Sequence, residues 1–113
     1  MKDIENLVQG FVTELRRGTL TFAVLSCLDE PLYGYGLLEV LNEHNIDIEG
    51  NTLYPLLRRL EKQGLLESIW DTSESRPRKY YKINEDGLIV RNRLEDEMRR
   101  RINVFSIKGN EKR

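Results

Sequence analysis

Arg58, Arg59 and Lys62 fall at i, i+1 and i+4, and further along the chain Arg76, Arg78 and Lys79 crowd around Pro77. Guanidinium and ammonium groups at this density suit contacts with phosphate oxygens and, for arginine, paired hydrogen bonds to a guanine edge. The charge distribution points the same way. Residues 1–49 carry a net charge of −6, residues 50–83 of +3 and residues 84–113 of +2, although the whole chain stands at −1. An acidic front followed by a basic middle suits a polyanion partner for the middle alone. An ordinary solvated surface accounts for the same charges equally well.

Other chemistries find no support in the sequence. The one cysteine, Cys27, and the one histidine, His44, cannot make an intramolecular disulfide or a zinc site between them. Cys27 sits in an apolar stretch and reads as an inert buried thiol; His44 reads as an exposed residue near a helix end, where the dipole favours it. The eight glycines are scattered at element ends rather than gathered in a phosphate loop, and the carboxylates are spread over polar faces. No catalytic residues, metal or cofactor are therefore expected. No apolar run approaches the ~20 residues of a membrane span, and Met1–Asn6 lacks the pattern of a signal peptide. A cytoplasmic chain of 113 residues in one domain is the expectation.

The elements that must position the basic groups follow from periodicity. Ile4, Leu7, Val8, Phe11, Val12 and Leu15 mark one stripe of a helix from Asp3 to Arg17. Gly18 and Thr19 interrupt or bend it, and a core helix through Val24, Leu25 and Leu28 follows, ended by Asp29-Glu30-Pro31. A third helix spans 33–45, and a fourth spans 52–64 with Thr52 as its cap, Pro55 in its first turn and Gly64 as a left-handed stop. The period then changes to two. Leu66, Ser68 and Trp70 share the core-facing side of one strand; Tyr81 and Ile83 face inward from a second, with Tyr80 and Lys82 outward. These two strands predict an antiparallel hairpin with a basic tip. Asn84 caps a last helix carrying Val90, Leu94, Met98, Ile102 and Phe105, and residues 108–113 read as a frayed tail.

This order predicts a mainly α fold with a small β-hairpin: a winged helix-turn-helix with an added helix at each end. The divisions are an amphipathic helix over 1–17, the winged helix-turn-helix over 18–83 and a terminal helix over 84–107. The end stripes are too long for one small core to cover, which predicts a homodimer joined through Ile4, Leu7, Phe11, Val90, Leu94, Met98, Ile102 and Phe105.

Gly18-Thr19-Leu20, Tyr33-Gly34-Tyr35, Thr52-Leu53-Tyr54-Pro55-Leu56-Leu57-Arg58-Arg59-Leu60-Glu61, Gly64-Leu65, Ser68-Ile69-Trp70, Arg76-Pro77-Arg78-Lys79-Tyr80-Tyr81 and Gly87 resemble the PadR family of transcriptional regulators. The resemblance covers residues 18 to 87, with one departure at Gly36, where the family commonly carries an acidic residue. It implies a homodimeric winged-helix protein that binds double-stranded DNA, usually a repressor and often released by a small molecule. The last helix would pack on its counterpart, and its shortness resembles the smaller subgroup of the family.

Within that frame each basic or polar residue has a functional and a plainer reading. Arg58, Arg59 and Lys62 contact the major groove, or form a solvated face paired to Glu61 or Glu67, with Arg59 the one that could turn inward. Asn51 and Thr52 cap the helix, touch a phosphate, or do both. Tyr54 and Tyr33 reach phosphates through their hydroxyls, or pack; Tyr35 is expected to pack beside Gly34. Arg76, Arg78 and Lys79 enter a minor groove, or keep a hairpin tip soluble. Trp70 packs on the core, or stacks on a small aromatic effector at the dimer seam. A winged-helix scaffold for protein partners, without specific DNA binding, is the rival to the regulator reading.

Overall fold

The structure, a computed structural model, describes residues 3–107; the tail expected to fray at 108–113 lies outside the described residues. The first helix, α1, runs unbroken over Ile4–Cys27, and Asp3 caps it by accepting from the Asn6 N–H at 3.2 Å. The expected interruption at Gly18 is therefore absent. A helical glycine costs about 1 kcal/mol rather than breaking the helix, and the Thr19 hydroxyl donates back to the carbonyls of Leu15 and Arg16, each at 3.3 Å. The two predicted helices are one rod. Its second half supplies Val24 and Leu25 to the core, while Ile4, Leu7 and Phe11 stay exposed.

Leu32–Tyr33 forms a short strand, β1, where only a helix start was expected. It pairs antiparallel with the later strand β3 (Arg78–Ile83), which in turn pairs with β2 (Leu66–Asp71). The expected hairpin is thus the larger part of a three-stranded sheet, ordered β1-β3-β2. Two residues are too few to show an alternating pattern in sequence.

Helix α2 spans Gly34–Glu43 and stops at Asn45, which adopts φ 64° while the Ile46 N–H bonds back to the Leu41 carbonyl at 2.9 Å. His44 lies exposed at that end, as expected. Helix α3 spans Gly50–Lys62, two residues earlier than predicted at its start. Its cap is Glu49, whose carbonyl accepts from the N–H groups of Thr52 and Leu53, both at 3.0 Å. Thr52 and Asn51 are accordingly inside the first turn and do not cap, and Pro55 lies in the helix interior rather than its first turn. The proline tolerates this because Leu53, Leu56, Leu57 and Leu60 are all buried and hold the helix against the core. Gly64 stops it as predicted, at φ 84°, with the Leu65 N–H returning to the Leu60 carbonyl at 3.0 Å.

Helix α4 covers Glu85–Arg101 and tightens into a 3₁₀ turn over Ile102–Ser106. Asn84 caps it as predicted, accepting from the Gly87 N–H at 2.8 Å. One core joins the end of α1 to α2, α3 and the sheet, with Tyr81 and Ile83 facing into it as expected. Two inward assignments need correction. Trp70 is 61% exposed, because its strand has run past the core by that point. Cys27 is half-buried rather than enclosed, and burial pushes its thiol pKa up, which disfavours the thiolate. The molecule is elongated, 61 × 36 × 24 Å.

Candidate nucleic-acid interface

Helix α3 separates its residues by the 3.6-residue turn. The four leucines take the inner face; Asn51, Arg58 and Lys62 share the opposite face, with Thr52 and Arg59 beside them. All five outward residues are exposed. Among the described residues, no ion pair engages Arg58, Arg59 or Lys62; the ion pairs of the fold lie elsewhere. The expected pairing to Glu61 or Glu67 is absent, since Glu61 is engaged by Ser68 and Lys79 and neither acid meets these cations, and Arg59 does not turn inward; a solvated face and a DNA-contacting one are both compatible with this exposure. Three uncompensated cations on and beside the exposed helix face make a positive strip about one turn long.

Helix α2 meets α3 at Gly34 and Tyr54. A Cβ at Gly34 would overlap the Tyr54 ring, and a Cβ at Gly50 would come within 3.0 Å of its other edge. Tyr54 thus packs over the starts of both helices, not in the seam under the wing, and its remaining surface stays accessible. Gly34 is required here by the close approach of that ring. The opposite side of the α2 start carries Tyr33, whose ring meets Tyr80 edge-on at 5.6 Å and lies 6.4 Å from Tyr35. Tyr35 itself is exposed rather than packed beside Gly34.

The hairpin of β2 and β3 directs its basic residues three ways. Arg76 stands exposed in the connecting loop. Arg78 lays its guanidinium over the Tyr33 ring, 4.8 Å from the centroid, a cation–π contact between wing and α2. Lys79 points to the other side and pairs with Glu61 of α3 at 3.1 Å. The loop opens on an Asp71 carboxylate that accepts from the Ser73 N–H at 3.0 Å; that bond holds its pKa down. Glu61, Ser68 and Tyr80 are the participants that the sequence reading missed. A signal existed for the first pair: the alternation that sends Tyr81 and Ile83 inward sends Lys79 inward too, toward the one acid on the near flank of α3.

Positive side chains on one helix face, a flanking loop carrying Arg76 and a pinned Arg78 can grip a phosphate backbone while α3 presents polar groups to base edges. An open groove of about 1280 Å³ lies elsewhere, between the second half of α1 and residues 41–49, and Trp70 does not line it. Among the described residues, no three His, Cys, Asp or Glu side chains gather as a metal site, and no helix is long and apolar enough to cross a membrane.

Residues 24–100 match the family model described as the transcriptional regulator PadR-like family. The fold superposes on a PadR family transcriptional regulator from Eggerthella lenta with a TM-score of 0.84 and 50% identity, covering 91% of this chain and 92% of that one. A PadR-like transcriptional regulator from Bacillus cereus matches with a TM-score of 0.73 and 28% identity, over 85% of this chain and 97% of that one. In sequence, the transcriptional regulator Rv3488 of Mycobacterium tuberculosis is 32% identical over 75 residues, 66% of this chain and 70% of that protein.

Proposed function

The chain belongs to the PadR-like family of transcriptional regulators, and from that premise we propose that it is a homodimeric repressor that binds a roughly palindromic operator in the cytoplasm. The family is one of DNA-binding regulators and not of enzymes. The observation that carries the specific reading is the exposed, unpaired set Arg58, Arg59 and Lys62 on the face of α3 opposite the core. In this reading α3 enters the major groove. Arg58 and Lys62 meet base edges or phosphates, Arg59 meets the backbone, and Asn51 and Thr52 touch DNA at the start of the helix. Tyr33 and Tyr54 offer hydroxyls to the phosphates flanking the groove, and Arg76 and Arg78 reach the adjacent minor groove from the wing.

The dimer is supported by what one chain leaves uncovered. Ile4, Leu7 and Phe11 on α1, and Ile102 and Phe105 beyond α4, are all exposed, while Val90, Leu94 and Met98 are only partly covered by their own chain. A second copy would bury these surfaces together and set two α3 helices about one turn of DNA apart, ~34 Å. The exposed Trp70 is the candidate stacking surface for a small aromatic effector that releases the operator.

Affinity for duplex DNA measured over a range of salt tests the reading. Several phosphate contacts predict a steep fall in affinity as salt rises. No retention of DNA even at low salt would favour a protein-interaction scaffold instead.

A further inference from the structure

We propose that Glu61 and Lys79 act in DNA binding as positioning residues that fix the wing against helix α3, and that Lys79 is not itself a phosphate ligand; this rests on the DNA-binding reading above. One carboxylate ties two strands to the helix. Glu61 Oε1 accepts from Lys79 Nζ of β3 at 3.1 Å, and Oε2 accepts from the Ser68 hydroxyl of β2. Ser68 and Lys79 lie two positions apart along the hairpin ladder, since Ser68 pairs with Tyr81 and Trp70 with Lys79. The Lys79 ammonium also sits 5.1 Å from the Tyr81 ring centroid, and Tyr81 is a core residue. Both charged side chains are about two-thirds covered, at 28% and 32% exposure. The Ser68 hydroxyl, and after it Lys79, hold the Glu61 carboxyl below its ordinary pKa, so the anion is the settled form at neutral pH.

The contrast with neighbouring cations decides the role. Arg58, Arg59, Lys62 and Arg76 keep their charges free for phosphate. Lys79 is already neutralised by a carboxylate. Turning it toward DNA would break the bond to Glu61 and leave an uncompensated anion on the helix that faces a polyanion. The pair therefore contributes geometry rather than charge: it sets the angle between the wing and the basic face of α3, and so whether Arg76 and α3 can engage adjacent grooves at once.

The two roles predict opposite signs for one substitution. Glu61→Gln removes a negative charge from the DNA-facing unit, so charge alone would tighten binding. The probe is the duplex enriched from a random pool, with affinity followed against salt and thermal unfolding followed in parallel. Glu61→Gln and Lys79→Ala should each weaken binding about fivefold, and the double variant should lose no more than either single one. The slope of log affinity against log salt should be unchanged in Lys79→Ala, while Arg76→Ala flattens it by roughly 0.9 for each phosphate it no longer neutralises. Lys79→Arg, which keeps a cation against Glu61, should bind like the parent; Glu61→Asp, which keeps the charge and shortens the reach, should bind more weakly. Tighter binding by Glu61→Gln, a slope change in Lys79→Ala equal to that of Arg76→Ala, or no change in either single variant would overturn the proposal. If the parent itself shows no salt-dependent duplex binding, the DNA reading falls, and this proposal falls with it.

Discussion

Arg58 shows how its surroundings suit a single side chain to the proposed contact with DNA. Its helix is buried on the opposite face by four leucines, so its guanidinium has nowhere to go but outward, and no acid of the described chain meets it. Arg58→Ala should weaken operator binding by about 1–3 kcal/mol and relax discrimination at one base position if the contact is bidentate to guanine. Affinity measured on operator variants checks both effects. Gly34 matters for the opposite reason, as the residue that must have no side chain. Gly34→Ala pushes against the Tyr54 ring and should cost about 1–3 kcal/mol of folding stability, seen as a lowered thermal midpoint. The basic run from Arg58 to Lys79 could be picked out from sequence, because charge and spacing are visible there. Strand alternation also sends Arg78 and Lys79 to opposite sides, which is a signal for the inward turn of Lys79; their partners were not legible, because Tyr33 and Glu61 lie far away along the chain.

At the scale of elements, the contact between the wing and α3 has a pH signature. The folded-state pKa of Glu61 is depressed, so its contribution is present above the unfolded value of about 4.3 and is lost as pH falls through the lower folded value. The pKa of Lys79 is raised, so its contribution is present below the unfolded value of about 10.4 and is lost as pH rises through the folded one. Urea unfolding followed from neutral pH into acid should therefore show a shallower loss of stability in Glu61→Gln than in the parent. The difference between the two isolates this group from Asp71 and Glu97, whose pKa values are also lowered. Elements with a long repeat could be read from sequence: the leucine stripe of α3, the alternation of β3 and the Asn84 cap all stand where periodicity and capping chemistry place them. Those settled by tertiary packing could not. Gly18 and Pro55 both signal interruption locally, yet both lie inside helices held by packing and continuing backbone bonds. β1 exists only because β3 offers it a partner.

The whole molecule is asymmetric in what it covers. Its core is closed around α2, α3 and the sheet, while the front of α1 and the end of α4 present apolar side chains outward, Phe105 at 71% exposure among them. Leu94→Asp should reduce the mass in solution from two chains to one and weaken DNA binding as a consequence. Because Leu94 also touches the chain's own core, Phe105→Asp is the cleaner companion, changing the seam without disturbing the fold. Light scattering at micromolar concentration checks both, and an unchanged mass in both variants would displace the seam. In the proposed dimer, two copies joined this way would present two basic helices and two wings on one side. Selection of bound duplexes from random DNA tests that arrangement most directly. The prediction is an enriched, two-fold symmetric motif whose half-sites lie about one helical turn, ~34 Å, apart; no enrichment, or a single unsymmetrical element, would contradict it.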